Sequence, residues 1–301
     1  MSLEAKFDCA QGAVRAVRFN KNGNYCITCG SDRTVKLWNP YKQLRIQTYS
    51  GHNQEVLDAD CSIDHSFICT GSADKSVNYI DVKTGQIVRK YKAHLGKVNC
   101  VRFNLEESNV ILSGSIDGKV LFYDLRSKTF DPLQEIDDCK DSVTHIDLND
   151  HEILVSCLDK RVRLYDVRFG KMKCDYIGYP VTCSTLSKDD QCILVSILDN
   201  SKTDFGRLLL IDKQSGEMLN EYKGHINKEY VVESCMNNSS DEVISGSENG
   251  IVYIWDVVEA KIKHKLKHLN TKTVNSISYN PLEDKILTAQ EKMVYLWDLK
   301  K

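Results

Sequence analysis

The chain has 301 residues, 27% of them charged and 42% hydrophobic, and 40 Lys plus Arg against 42 Asp plus Glu leave a formal charge of −2. That balance describes a globular chain with ample apolar material for a core. It excludes a dedicated binder of a polyanion such as DNA, which needs a marked cationic excess. Residues 1–10 carry Glu4, Lys6 and Asp8 without an apolar run of signal-peptide length, and no later run approaches the roughly 18 uncharged residues of a membrane span. The expectations are a cytoplasmic protein, with the nucleus as a second location, and no membrane insertion. The twelve Cys then read as free thiols, mostly buried as small hydrophobes.

Taken in chain order, the sequence repeats itself. Apolar runs end on an aromatic or aliphatic residue followed by a polar one at Trp38-Asn39, Ile80-Asp81, Tyr123-Asp124, Tyr165-Asp166, Ile211-Asp212, Trp255-Asp256 and Trp297-Asp298, in steps of 42, 43, 42, 46, 44 and 42 residues. A period of about 40 to 45 residues is that of a four-stranded propeller blade. Six residues ahead of six of these marks stands a turn residue: Asp32, Asp74, Asp117, Asp159, Asn249 and Glu291. Gly51-His52, Ala93-His94 and Gly224-His225 form a third marker, 29 to 31 residues ahead of theirs when counted from the Gly or Ala. Runs such as 35–38, 120–123, 162–165 and 251–255 are short, rich in β-branched and aromatic residues, and bounded by Gly, Asn, Asp and Ser, which predicts strands. Pro40, Pro132 and Pro281 fall outside the strand runs, and no segment sustains a helical period beyond two turns.

Three markers in fixed order over seven units resemble the WD-repeat family. The resemblance implies an all-β fold, a single seven-bladed WD-repeat β-propeller over residues 1–301. The chain stops just after the third strand of its last unit, so the missing outer strand is expected from the N-terminus. Residues 3–9, from Leu3 to Cys9, look like the outer-strand segments 44–50 and 88–92, with Phe7 in the place of Tyr49 and Tyr91. The resemblance also implies a buried hydrogen-bond chain of His, Ser or Thr, Asp and Trp in each blade. The sets here are incomplete: His52, Thr70 and Asp74 end on Ile80; His94, Ser113 and Asp117 end on Tyr123; Thr28, Asp32 and Trp38 lack the His; and His225, Ser245 and Trp255 carry Asn249 for the acid. Blades with such sets are expected to depend on packing against their neighbours.

Catalytic readings find little to rest on. One histidine per repeat beside Gly or Ala is a structural pattern. Cys26 and Cys29 form a CxxC on a strand, where residues three apart face opposite sides, so they cannot easily share a zinc ion or a disulfide. His264 and His268 on one strand are roughly 13 Å apart, too far for one metal, and read as surface residues. Phosphate loops, nucleophile elbows and zinc-protease helices are missing from the sequence. The acids do not cluster by repeat register, which argues against a catalytic channel. No enzyme activity, cofactor or metal is expected.

Recognition is the remaining expectation. The family's usual partner surface is the face where loops enter each first strand, and by register it holds Ala13, Arg15, Glu55, Leu57, Lys97, Asn99, Ser142, Thr144, Pro180, Thr182, Glu229, Val231, Thr273 and Asn275, with turn residues Ser31, Ala73, Ile116, Leu158 and Glu248 beside them. The fifth unit lengthens its turn by about six residues around 200–205, with Phe205 as a candidate anchor. Lys261, Lys263, Lys265 and Lys267 alternate along one strand; they read as edge protection or as a dock for an acidic segment. Strings such as residues 12–20, 35–40 and 221–225 are similar to a group of small seven-bladed scaffolds within the family. That similarity implies a non-enzymatic adaptor with protein partners from kinase cascades, cell-polarity kinase complexes or pre-mRNA splicing assemblies, itself a monomer within larger complexes. Two rival readings are direct RNA binding and substrate recognition for ubiquitin ligation; the second would normally need a further domain, for which the blades leave no room.

Overall fold

The computed structural model describes residues 1–105, 107–198 and 205–300. Its 28 strands, from β1 (Ser2–Asp8) to β28 (Met293–Asp298), form seven four-stranded antiparallel sheets and no helix among the described residues. Six sheets are consecutive in sequence, beginning with β2 (Val14–Phe19), β3 (Cys26–Gly30), β4 (Val35–Asn39) and β5 (Leu44–Tyr49). The seventh joins β26 (Val274–Tyr279), β27 (Lys285–Gln290) and β28 to β1. The molecule is therefore a seven-bladed β-propeller, with the first strand of each blade innermost.

Each blade is a small sheet with two apolar faces, and neither face can be covered from within. The buried hydrophobic residues accordingly fall into seven clusters, one per seam, each made by two adjacent blades. Strand alternation distributes the side chains. On β3, Cys26 packs into the seam between blades 7 and 1, whereas Ile27 and Cys29 join the seam between blades 1 and 2. Cys26 and Cys29 are thus separated by their own sheet, and both are free thiols. Middle strands such as β11 (Val110–Ser115) are buried on both faces, hence their nearly continuous apolar sequences.

The ring closes where the chain begins. β1 pairs antiparallel with β28 from Ser2 opposite Asp298 to Asp8 opposite Met293, with one irregularity between Leu3 and Ala5. Phe7 lies opposite Val294, with its ring 4.8 Å from that of Trp38 in blade 1. One side chain thus stitches the last blade to the first, as Tyr91 does in the next-but-one seam by stacking on Tyr123 at 4.3 Å. The Cys9 amide donates to the Lys292 carbonyl at 2.8 Å, and Lys292 reaches back to Asp8. Without β1, the outer edge of β28 and the apolar side of blade 7 would both be exposed. Deleting residues 1–9 is expected to lower the melting temperature sharply in a thermal scan followed by circular dichroism; an unchanged midpoint would show that the pairing adds nothing.

Candidate functional site

Two layers of inner-strand side chains join the blades around the central channel. In the upper layer, Asp58 accepts the Val101 amide of the next blade at 3.2 Å, Glu233 accepts that of Ile277 at 3.0 Å, and the Ser276 hydroxyl accepts that of Val17 at 3.1 Å. In the lower layer, Asp60 accepts from Phe103, Asp147 from Leu186 and Ser278 from Phe19, at 3.0, 2.8 and 2.9 Å. The acids do cluster by repeat register, contrary to the sequence expectation. The two positions lie two residues apart on the inner strand, so a search confined to turn acids passes them over.

Arginines neutralise the upper layer. Arg18 binds Glu233 through both terminal nitrogens, at 2.9 and 2.6 Å, and Asp58 at 2.8 Å. Arg102 binds the other Asp58 oxygen at 2.5 Å and donates to His145 Nε2 at 2.9 Å. His145 in turn directs Nδ1 to the Ser184 carbonyl at 3.0 Å, the arrangement of a neutral ring donating there. Burial, reinforced by the Arg102 charge, presses the His145 pKa down to about 4. Burial opposes the charge on Asp58, but the two guanidinium groups outweigh it and its pKa is lowered. Two cations, two anions and a neutral imidazole make a compensated floor that joins blades, with Arg18 Nε the one guanidinium nitrogen of Arg18 left without a partner.

Above this floor opens a funnel of about 740 Å³. Its wall includes Arg15, Glu55, Leu57, Lys97, Asn99, Ser142, Thr144, Ile116, Leu158, Glu229, Val231, Thr273 and Asn275. Register therefore located most of this face, but Pro180, Thr182 and the turn residues Ser31, Ala73 and Glu248 do not line it: Thr182 is buried and accepts from Asn227 Nδ2 at 3.3 Å, Glu248 caps backbone amides, and blade 5 contributes no described residue to the wall. Arg15 and Glu55 pair across two blades at 2.8 Å, and Asn99 Nδ2 donates to the Val143 carbonyl at 2.7 Å. Apolar side chains stand exposed on the same rim, among them Leu95, Ile116, Tyr230 and Val231.

The blade-internal chains form to different extents. In blade 2, His52 Nε2 meets Thr70 Oγ1 at 2.7 Å and Nδ1 faces Asp74 at 3.2 Å. In blade 3, His94 makes the same contacts with Ser113 at 2.7 Å and Asp117 at 3.0 Å, but the Tyr123 hydroxyl makes no hydrogen bond and the ring acts by stacking on Tyr91. In blade 1, Trp38 donates to Thr28 at 3.0 Å and Thr28 donates to Gln11 at 2.5 Å. Buried Gln11 takes the histidine's place, while Asp32 caps its own turn by accepting from Thr34.

Blade 6 departs from expectation. Neither His225 nitrogen has a hydrogen-bond partner, Ser245 donates to the Gly246 carbonyl and Trp255 to the Lys223 carbonyl. The reason lies in the turn: Asn249 is directed at the Tyr253 hydroxyl, so no carboxylate reaches the ring, and His225 instead packs edge-on against Trp255 at 5.5 Å. Glu248, one residue earlier, accepts the amides of Lys228, Glu229 and Tyr230 at 2.7, 2.7 and 3.0 Å. The expectation of a surface His268 also fails. His268 meets Thr288 at 2.7 Å, Trp297 donates to the same hydroxyl at 3.0 Å, and the imidazole packs on both Tyr295 and Trp297. It precedes Trp297 by the 29 residues that separate His94 from Tyr123, a spacing visible in the sequence but lacking the Gly or Ala before it.

The lysine ridge is largely engaged. Lys261 pairs with Glu259 at 3.0 Å, Lys263 with Glu242 at 2.8 Å, and Lys265 lies over the Tyr253 ring at 5.2 Å, leaving exposed Lys267 at the strand end. Phe205 is 53% exposed, while residues 199–204 of the lengthened turn lie outside the described residues.

Replacing Asp58 with Ala strips Arg18 and Arg102 of a shared partner and is expected to cost about 3–5 kcal/mol in urea denaturation, against less than about 1 kcal/mol for Arg15→Ala at the exposed rim pair; equal costs would contradict the buried floor. Burial also lowers the pKa of His225 to about 3 and of His268 to about 4, and lowers those of His52 and His94. These rings stay neutral in the folded state, whereas the unfolded chain takes up protons below about 6.5. Stability is therefore full above about pH 6.5 and falls as pH drops toward about 4. Melting temperatures across that interval should decline before carboxylates titrate, and His145→Gln should flatten the decline.

The WD domain, G-beta repeat family matches residues 1–39, 43–81, 85–124 and 216–256. The chain is 49% identical over 290 residues to WD repeat domain-containing protein 83 of Homo sapiens, covering 96% of this chain and 90% of the human one. It is 30% identical over 320 residues to the WD repeat domain-containing protein 83 homolog of Dictyostelium discoideum, covering 95% of each. An uncharacterized WD repeat-containing protein of Schizosaccharomyces pombe is 36% identical, with 96% of each chain covered.

Proposed function

The chain belongs to the WD-repeat family, and on that premise we propose that it is a non-enzymatic adaptor that holds protein partners on the funnel face. The observation that carries this reading is the funnel itself: exposed apolar and charged side chains converge on a rigid rim contributed by six blades, above a floor whose ionisable groups are committed to holding the ring. A face of this kind positions recognition residues at little conformational cost, and several patches on one body bring tethered partners to a high effective concentration. The similarity to the mitogen-activated protein kinase organizer group favours kinase-cascade components as partners, with polarity kinase complexes and splicing assemblies as the other settings, in the cytoplasm or the nucleus. Direct RNA binding is disfavoured by the neutral balance of the rim, where Arg15, Lys97 and Lys272 face Glu55, Glu229 and Glu291.

Phe205 and the lysine strand are secondary docking candidates. Three lysines already have intramolecular partners, which supports edge protection for that strand.

Affinity purification with quantitative mass spectrometry tests the reading. Leu57→Arg combined with Tyr230→Ala should remove partners at least tenfold while leaving the melting temperature within a few degrees, whereas charge reversal of Lys261, Lys263, Lys265 and Lys267 and the change Phe205→Ala should retain them. Unchanged recovery from the funnel variant would refute this face. Recovery of RNA that falls with salt would move the function to nucleic acid.

A further inference from the structure

Blade 4 replaces the family's polar chain with two thiols. Cys139 stands four residues before Val143, as His52 stands before Val56 and His94 before Val98. The strand position held by Thr70 and Ser113 is Val155, which pairs with Arg163 as Thr70 does with Asn78. Cys157 takes the place of Ser72 and Ser115, two residues ahead of the turn acid. Its sulfur does the hydroxyl's work, accepting the Asp159 amide at 3.4 Å and donating to the Asp141 carbonyl at 3.2 Å. With no histidine to engage it, Cys139 lies beside Cys157, the neighbouring Lys140 amide donating to Asp159 at 3.1 Å. Both side chains belong to the seam between blades 3 and 4.

The surroundings favour chemistry at this pair. Arg163 holds Asp159 at 2.6 Å and the Asp138 carbonyl at 3.1 Å, tying the turn after Cys157 to the loop that carries Cys139. The Cys139 thiol beside it and the Asp159 amide lower the Cys157 pKa, while the Cys157 sulfur and burial raise that of Cys139. One sulfur is thus the readier nucleophile and the other a proton-bearing neighbour. Cys157 itself is fully buried, and the loop beside it carries Cys139, 7% exposed, between the exposed residues Asp137, Asp138, Lys140 and Asp141, so peroxide must reach the pair through an opening of that loop.

We propose that Cys139 and Cys157 are an oxidisable dithiol that a peroxide converts to a disulfide fastening the loop before blade 4 to the end of its second strand. The Cys157 thiolate attacks a peroxide oxygen; an S–O bond forms, the O–O bond breaks, and hydroxide leaves to take up a proton, giving a sulfenic acid and water. The Cys139 sulfur, losing its proton, then attacks the Cys157 sulfur, and the hydroxyl departs with that proton as a second water. Two thiols and one hydrogen peroxide yield one disulfide and two waters. The joined segments adjoin Ser142, Thr144 and Leu158 on the funnel wall, so the bond fixes that part of the wall.

The experiment treats the full reduced chain with hydrogen peroxide, caps remaining thiols with N-ethylmaleimide and maps peptides by mass spectrometry, exposed Cys174 reporting that oxidant and alkylating agent were active. The expected result is a linked pair of peptides containing Cys139 and Cys157, lighter by two hydrogens and restored by dithiothreitol, with no linked pair in Cys139→Ser. Wild-type protein alone decides the matter. Alkylation of both thiols, oxidation of either to a higher acid without linkage, or linkage of either to another cysteine would overturn the proposal.

Discussion

A blade cannot cover its own faces, and that constraint governs this molecule. Each of the seven seam cores is made by two neighbours, so a blade at an open end would present a full apolar face and an unpaired strand edge to water. The arrangement that covers all seven is a circle, and β1 supplies the fourth strand of the blade made by β26, β27 and β28. The β1–β28 pair is thus the condition under which every other seam is worth forming, because it removes the two free ends at once.

The same constraint explains the channel. Inner strands converge with amides that need partners, and at four seams a side chain from one blade accepts an amide of the next. Where the acceptor is Asp58 or Glu233, two arginines balance it and a neutral histidine completes the chain. The charged groups of the channel floor therefore serve architecture. What faces outward is the rim above them, whose rigidity derives from the floor beneath it.

Much of this was legible from the residues alone, for reasons that differ by feature. The period and the outer-strand likeness of residues 3–9 could be read because each blade repeats one packing problem, so Phe7, Tyr49 and Tyr91 recur at one seam position. The funnel wall followed from register. What escaped were substitutions that keep a role while changing the residue type: Gln11 for a histidine, Glu248 for a turn acid one position later, and His268 without its usual preceding residue. His225 shows the reverse, a family residue retained in blade 6 without the partners that give it a role. The channel acids were missed because Asp58, Glu233 and Ser276 share a position but not a chemistry, and only the inter-blade hydrogen bonds reveal that they do one job.

Hydrogen–deuterium exchange of the intact chain tests the central claim most directly, since it reads the opening of each strand under native conditions. If the beginning of the chain fastens the ring, amides of β1 in the ladder with β28 will exchange as slowly as those of the inner blades and open together with them. Rapid exchange across residues 2–8, with every other strand protected, would show a ring that holds without its clasp and would contradict this account.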